Sequence, residues 1–136
     1  MAQKNILLVD DDEFILGLLE SALKDHPDYK TTTAKNGQEA LKKQSNEHFD
    51  LIITDIIMPG KDGIQLIDDL RKSNINTPVI AISGGNNQAD NDAGDYIDFA
   101  RYFANETLAK PFSKEDLLST IALVLSNKNS DFMQYL

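Results

Sequence analysis

Short, unbroken apolar runs separated by stretches of helical periodicity constrain this chain more than any other feature. Ile6–Val9, Leu51–Thr54 and Val79–Ile82 are continuous rather than alternating. Strands read that way when both of their faces are covered. After the first run, Phe14, Ile15, Leu18, Leu19, Ala22 and Leu23 recur at helical spacing, with Asp12 placed to cap the helix start. Pro27 ends that connection, and Tyr29–Ala34 is Thr-rich, as suits a half-exposed edge strand. Asn36 caps a short helix expected through Gln44, and Ile64, Leu66, Ile67 and Leu70 mark the next helix. A fourth helix is expected from near Asp92, with Ile97, Ala100, Arg101 and Ala104 within it. Glu106–Ala109 reads as a fifth strand. Lys114–Ser126 reads as the last helix, its apolar side carrying Leu117, Leu118, Ile121, Val124 and Leu125.

Strand and helix therefore alternate five times along the chain. Right-handed crossovers then give an α/β fold, a doubly wound parallel sheet with helices on both faces. At 136 residues this is one domain, with no internal repeat and no low-complexity linker. The segment Asn127–Leu136 opens with Asn, Lys and Ser and is expected to fray as a C-terminal tail, although Phe132, Met133, Tyr135 and Leu136 give it apolar surface.

Composition removes several classes of function. Thirteen basic residues against 22 acidic ones give a net charge of -9, which opposes binding to nucleic acid by bulk electrostatics. There is no cysteine, hence no disulfide framework and no thiolate chemistry. No stretch approaches the ~20 apolar residues of a membrane span. These features suit the cytoplasm.

In an open parallel sheet, ligands bind outside the carboxyl ends of the strands. Asp10, Asp11, Asp12 and Glu13 follow the first strand, and Asp55 follows the third. Ser83, Gly84 and Gly85 follow the fourth, and Lys110-Pro111 follows the fifth. Each has an ordinary reading alone. Asp10–Asp12 could be a capped helix start. Asp55 could belong to the turns that Met58-Pro59-Gly60 and Asp62-Gly63 make. Ser83-Gly84-Gly85 could be a plain loop, and Lys110 a solvated one. Their placement on one sheet edge carries the argument.

Carboxylates crowded together repel unless a cation sits among them. Oxygen donors with no His or Cys nearby select a hard ion such as Mg²⁺. A carboxylate beside such an ion can attack a phosphoryl donor and become an aspartyl phosphate. That transfer needs positive charge and hydrogen-bond donors on the phosphoryl oxygens, which Lys110, the Ser83 hydroxyl and the Gly84 amide could supply.

VDDDE, TDIIMPGKDG, AISGG and LAKPF, in this order and spacing, resemble the receiver domain of two-component response regulators, of the stand-alone, chemotaxis-receiver-like kind. The likeness extends over residues 4–126, so a receiver domain is expected over 1–126 and a tail over 127–136. The resemblance implies the flavodoxin-like sheet with strand order 2-1-3-4-5. It makes Asp55 the phosphoacceptor and Asp11 a direct Mg²⁺ ligand, with Asp10 acting through water and the Ile57 carbonyl completing the metal site. It gives Ser83, Gly84, Lys110 and Ile57 the phosphoryl group, and it implies a cis Lys110–Pro111 peptide.

The implied function is a phosphorylation-dependent switch. It takes its phosphoryl group from a histidine kinase or a histidine phosphotransfer protein and signals by protein contact, through the face from the fourth to the fifth helix. It is an enzyme only toward its own phosphorylation and dephosphorylation. The chain ends where an output domain would begin, so a stand-alone receiver is expected. Two other readings stay open. One is a degenerate receiver that only binds a partner. The other is an aspartate-nucleophile phosphatase resembling the DxDx[TV] class, in which Phe14 stands where Thr or Val is required.

The chain departs from the receiver pattern at three positions. Thr107 stands where Tyr or Phe is usual, Ile57 where a polar residue often sits, and Phe103 where a Gly is common. Ile57 and Gly85 offer no hydrogen bond to a water attacking phosphorus, so a long-lived phosphoryl group is expected. Thr107 is too small for an aromatic switch. The conformational response is therefore expected in Gly84–Phe103.

Overall fold

The computed structural model describes residues 3–56, 63–84 and 104–134. The chain runs β1 (Lys4–Val9), α1 (Glu13–Leu23), β2 (Tyr29–Ala34), α2 (Gly37–Asn46), β3 (Leu51–Asp55), α3 (Gly63–Lys72), β4 (Val79–Ser83), β5 (Glu106–Ala109) and α4 (Lys114–Gln134). All pairings are parallel, and the five strands lie in the order β2-β1-β3-β4-β5. This is the doubly wound sheet that the alternating runs require. The helix expected from near Asp92 lies outside the described residues apart from Ala104, and the expectation for Gly84–Phe103 lies outside them apart from Gly84, as do Ile57 and Gly85.

Strand side chains alternate between faces, and the core divides accordingly. Ile6 and Leu8 of β1 pack with Leu16, Leu19 and Leu23 of α1 and with Leu117, Ile121 and Val124 of α4. Leu7 and Val9 pack with Ala40 of α2 and with Leu66, Ile67 and Leu70 of α3. The central strands are thus covered on both sides, which accounts for their continuous apolar sequence. β2 is an edge strand whose Thr31, Thr32 and Thr33 are all half-buried.

Helix starts follow the capping residues. Asp12 accepts a hydrogen bond from Phe14 N at 2.9 Å, and Asn36 accepts one from Glu39 N at 2.8 Å. These side chains satisfy amide donors that the first turn leaves without partners. The far end of β4 is tied just as locally. Asn105 Oδ1 accepts from Val79 N at 2.9 Å, and Arg71 donates to the carbonyls of Ile75 (3.0 Å) and Thr77 (2.9 Å).

Two expectations are corrected. Phe14 and Leu18 do not join the buried face of α1; they are 70% and 52% exposed. Leu16, Leu19 and Leu23 form the inward stripe, and residues two before or after Leu16 lie about 200° around the helix from it. The last helix continues past Ser126 to Gln134. Asn and Ser there are mediocre helix formers but not breakers, Lys is a good one, and neither Gly nor Pro occurs in the segment.

Candidate functional site

Register brings the strand ends together. Val9 lies opposite both Ala34 and Thr54, Asp55 opposite Ile82, and Ser83 opposite Ala109. The residues just past these ends, Asp10, Gly84 and Lys110, therefore share one edge with Asp55 and Ser83.

Asp10 is buried, only 1% exposed, which is unusual for an acid. Its amide donates to Ala34 O at 3.1 Å, fixing it beyond β1, and its Oδ1 accepts from Asp12 N at 2.9 Å. Its Oδ2 is buried with no hydrogen-bond partner among the described residues. Asp11 is exposed beside it, and Asp55 is half-buried at the end of β3. One carboxylate oxygen from each of Asp10, Asp11 and Asp55 lies within 4.8 Å of the others. Asp12 is set apart from this group by its role as the cap of α1.

Lys110 faces the cluster, its Nζ 4.0 Å from Asp10 Oδ2. Its backbone amide donates to Ser83 O at 2.8 Å, which ties the ends of β4 and β5 together. The Lys110–Pro111 peptide is cis, as the resemblance implies. Ser83 and Gly84 are half-buried at the same edge.

The electrostatics follow from burial and crowding. Burial pushes the Asp55 carboxyl from its ordinary 3.8 up to about 6; Lys110 opposes the shift, and Asp10 adds to it. Burial also raises Asp10, against the Asp12 amide and Lys110, which both pull it down. Among the described residues a single lysine faces the three acids, which leaves negative charge uncompensated. The donors are all hard oxygens, and the orphaned Asp10 Oδ2 is an acceptor that a cation or its bound water would satisfy. The residues present thus fit a hard divalent cation.

Two residues to which the sequence reading gives no role in the site, Thr54 and Gly63 at the two ends of the TDIIMPGKDG segment, touch the Asp55 peptide. Thr54 is fully buried, and its hydroxyl donates to Asp55 O at 3.0 Å. Gly63, which the sequence places in a turn, opens α3 directly against Asp55 and Ile56. The Asp62-Gly63 pair marks Gly63 only as a turn residue, and Thr54 opens the same segment only as a strand residue.

Comparison with known proteins agrees with this geometry. The chain matches the response regulator receiver domain over residues 6–122. It is 33% identical over 122 residues to the alkaline phosphatase synthesis transcriptional regulatory protein PhoP of Bacillus subtilis, covering 90% of this chain and 48% of that protein. It is also 33% identical over 120 residues to the response regulator ArlR of Staphylococcus aureus, covering 88% of this chain and 52% of that protein. The chain thus spans about half the length of the curated relatives it matches. Among solved structures, the receiver domain of Francisella response regulator 1452 superposes with a TM-score of 0.79 at 31% identity, covering 93% of this chain and all of that one. A CheY-like receiver domain protein from Methanospirillum hungatei gives 0.81 at 28% identity, covering 96% and 99%. With the family match spanning residues 6–122 and the fold shared with solved receiver domains, the chain belongs to the response regulator receiver domain family.

Proposed function

We propose that this protein is a phosphorylation-dependent signalling switch in which Asp55 accepts a phosphoryl group from a phosphohistidine donor. The observation that carries the reading is the meeting of Asp10, Asp11 and Asp55 within 4.8 Å, with Lys110 at 4.0 Å from Asp10, on the carboxyl edge of the sheet. An Asp55 carboxylate oxygen attacks phosphorus; the new P–O bond forms as the P–N bond to the donor imidazole breaks, and the imidazole keeps that electron pair. Asp10, Asp11 and Asp55, with the Ile57 carbonyl, would hold Mg²⁺, which supplies positive charge to the phosphoryl oxygens and makes the carboxylates compatible. Lys110 supplies a further positive charge, and the Ser83 hydroxyl and Gly84 amide supply hydrogen bonds.

The donor is a histidine kinase or a histidine phosphotransfer protein, met in the cytoplasm. Output passes by protein contact on the face from the helix expected near Asp92 to the last helix, α4, with no part for nucleic acid or membrane. Among the described residues no helix is long and apolar enough to cross a membrane. The catalysis is confined to the protein's own phosphorylation and dephosphorylation. We assign the receiver to residues 1–126 and treat 127–136 as an appendage.

Intact-mass measurement with acetyl phosphate tests the reading. A single phosphoryl adduct is expected when Mg²⁺ is present, lost with chelator and absent from Asp55→Asn. Full labelling of Asp55→Asn would defeat the assignment. No labelling of the wild type would favour the degenerate, binding-only receiver, and turnover of a generic phosphomonoester would favour the phosphatase.

A further inference from the structure

The peptide units after Asp55 are held on every side. Ile56 N donates to Ile82 O at 3.0 Å, and Gly63 N donates to Ile56 O at 2.9 Å. The Thr54 hydroxyl, in a fully buried residue, donates to Asp55 O at 3.0 Å. Close to the same carbonyl stands the bare α-carbon of Gly63. A Cβ there would lie 2.1 Å from Asp55 O, 2.9 Å from Ile56 Cα and 3.0 Å from Asp55 C. These are all backbone atoms, so no flexible side chain can move aside. Any side chain at 63 must shift either α3 or the Asp55 peptide.

We propose that Thr54 and Gly63 are positioning residues for Asp55: the hydroxyl bonds its carbonyl and the bare α-carbon leaves room for that carbonyl against α3, and together they fix where its carboxylate meets Asp10 and Asp11. The carbonyl and the side chain share one α-carbon. Tilting the peptide to relieve the Gly63 contact swings the carboxylate by an amount on the order of 1 Å, a displacement that can cost about 10²-fold in rate. The simpler role for Thr54 is that a buried hydroxyl needs some acceptor. The simpler role for Gly63 is close packing of α3. Neither predicts an effect on the chemistry of protein that remains folded.

Three variants separate these roles: Gly63→Ala, Thr54→Val and Thr54→Ser. Each is measured for thermal unfolding, for Mg²⁺ affinity by titration calorimetry without phosphodonor, and for labelling rate from acetyl phosphate at saturating Mg²⁺. Well below their unfolding temperatures, Gly63→Ala and Thr54→Val are expected to label about 10- to 100-fold more slowly and to bind Mg²⁺ several-fold more weakly. Thr54→Ser, which keeps the hydroxyl, is expected to restore both. A loss of either quantity in Thr54→Val that Thr54→Ser restores supports the clamp. Wild-type rate and affinity in folded Thr54→Val overturn it, whatever happens to stability. If Gly63→Ala does not fold, the two Thr54 variants decide alone. The rate arm rests on Asp55 as phosphoacceptor, and the affinity arm does not. A wild type that binds Mg²⁺ but takes no label sinks the phosphoacceptor reading and leaves the clamp judged by affinity; a wild type that binds no Mg²⁺ overturns both.

Discussion

Lys110 Nζ stands 4.0 Å from Asp10 Oδ2, a buried carboxylate oxygen with no hydrogen-bond partner among the described residues. The ammonium is near enough to attract that oxygen but does not satisfy it. Lys110 therefore stays available to a phosphoryl group, and it also competes with any cation drawn to the same acids.

Lys110→Met is expected to move two measurements in opposite directions. At pH 8, where the carboxylates are ionised, removing a positive charge from the cluster strengthens Mg²⁺ binding several-fold. Labelling from acetyl phosphate falls about 10²-fold, the scale seen when one donor to a developing oxyanion is removed. Calorimetry and intact mass read the two. A parallel loss of both would mean that Lys110 builds the site rather than stabilising the transferred group.

Mg²⁺ affinity is expected to depend on pH in the range where most carboxylates do not titrate. Asp55 is pushed up to about 6 by burial, and Asp10 is raised as well. A cation must displace these protons, so affinity is full above pH 7 and falls as the pH drops through 6. For each proton displaced, the loss approaches about tenfold per pH unit. Titrations at pH 5, 6, 7 and 8 check this. A flat profile down to pH 5 would place the carboxyls in their ordinary range.

Most of the fold and the outline of the site are legible in the sequence. The bounds of β2 follow from a Thr run flanked by Pro27 and Asn36, and the starts of α1 and α2 from the caps Asp12 and Asn36, while α2 runs two residues past the expected Gln44. The site is legible because the carboxyl-edge rule turns the order of residues along the chain into proximity: residues just past one central strand must meet those just past its neighbours. The remainder depends on tertiary contact. Phe14 and Leu18 fit a helical apolar pattern, yet which part of that pattern faces inward depends on where the sheet lies. Gly63 reads as half of a turn, because its distance to Asp55 O is set by a helix docking on a strand. Thr54 reads as one more strand residue, since its hydroxyl contact depends on a side-chain rotamer.

Asp55→Asn is expected to stabilise the metal-free protein at neutral pH while abolishing labelling. Folded Asp55 holds its proton more tightly than the unfolded chain, with a midpoint near 6 against 3.8. Stability therefore falls as the pH rises from about 4 through 6, and the full penalty is present at pH 7. Two pKa units set a ceiling of about 3 kcal/mol, and solvent screening of a half-buried carboxyl reduces it to about 1–2 kcal/mol. Asparagine removes that charge. Urea unfolding with chelator should show the gain at pH 7 and little of it at pH 4. Equal stability at both values would mean that the Asp55 charge costs the fold nothing.

Phe14 and Leu18 form an i, i+4 pair on the outer side of α1, 70% and 52% exposed. Phe14 lies two residues past Asp12, at the end of the helix that adjoins the acid cluster. A phosphohistidine on another protein must be brought to this edge of the sheet, and apolar surface beside it gives the donor protein something to bury. Phe14→Ser should therefore lower kcat/KM for transfer from a histidine kinase or phosphotransfer protein by about 10- to 100-fold, the equivalent of one buried aromatic, about 1.5–3 kcal/mol. A small donor needs no such surface, so labelling from acetyl phosphate should not change. Stability should stay within about 0.5 kcal/mol, because an exposed side chain carries little of the fold. The measurement is a phosphotransfer profile over a panel of kinases beside the acetyl phosphate control. Unchanged transfer from the most active kinase would remove this face from donor recognition, and an equal fall with both donors would place the defect in the Asp55 site itself.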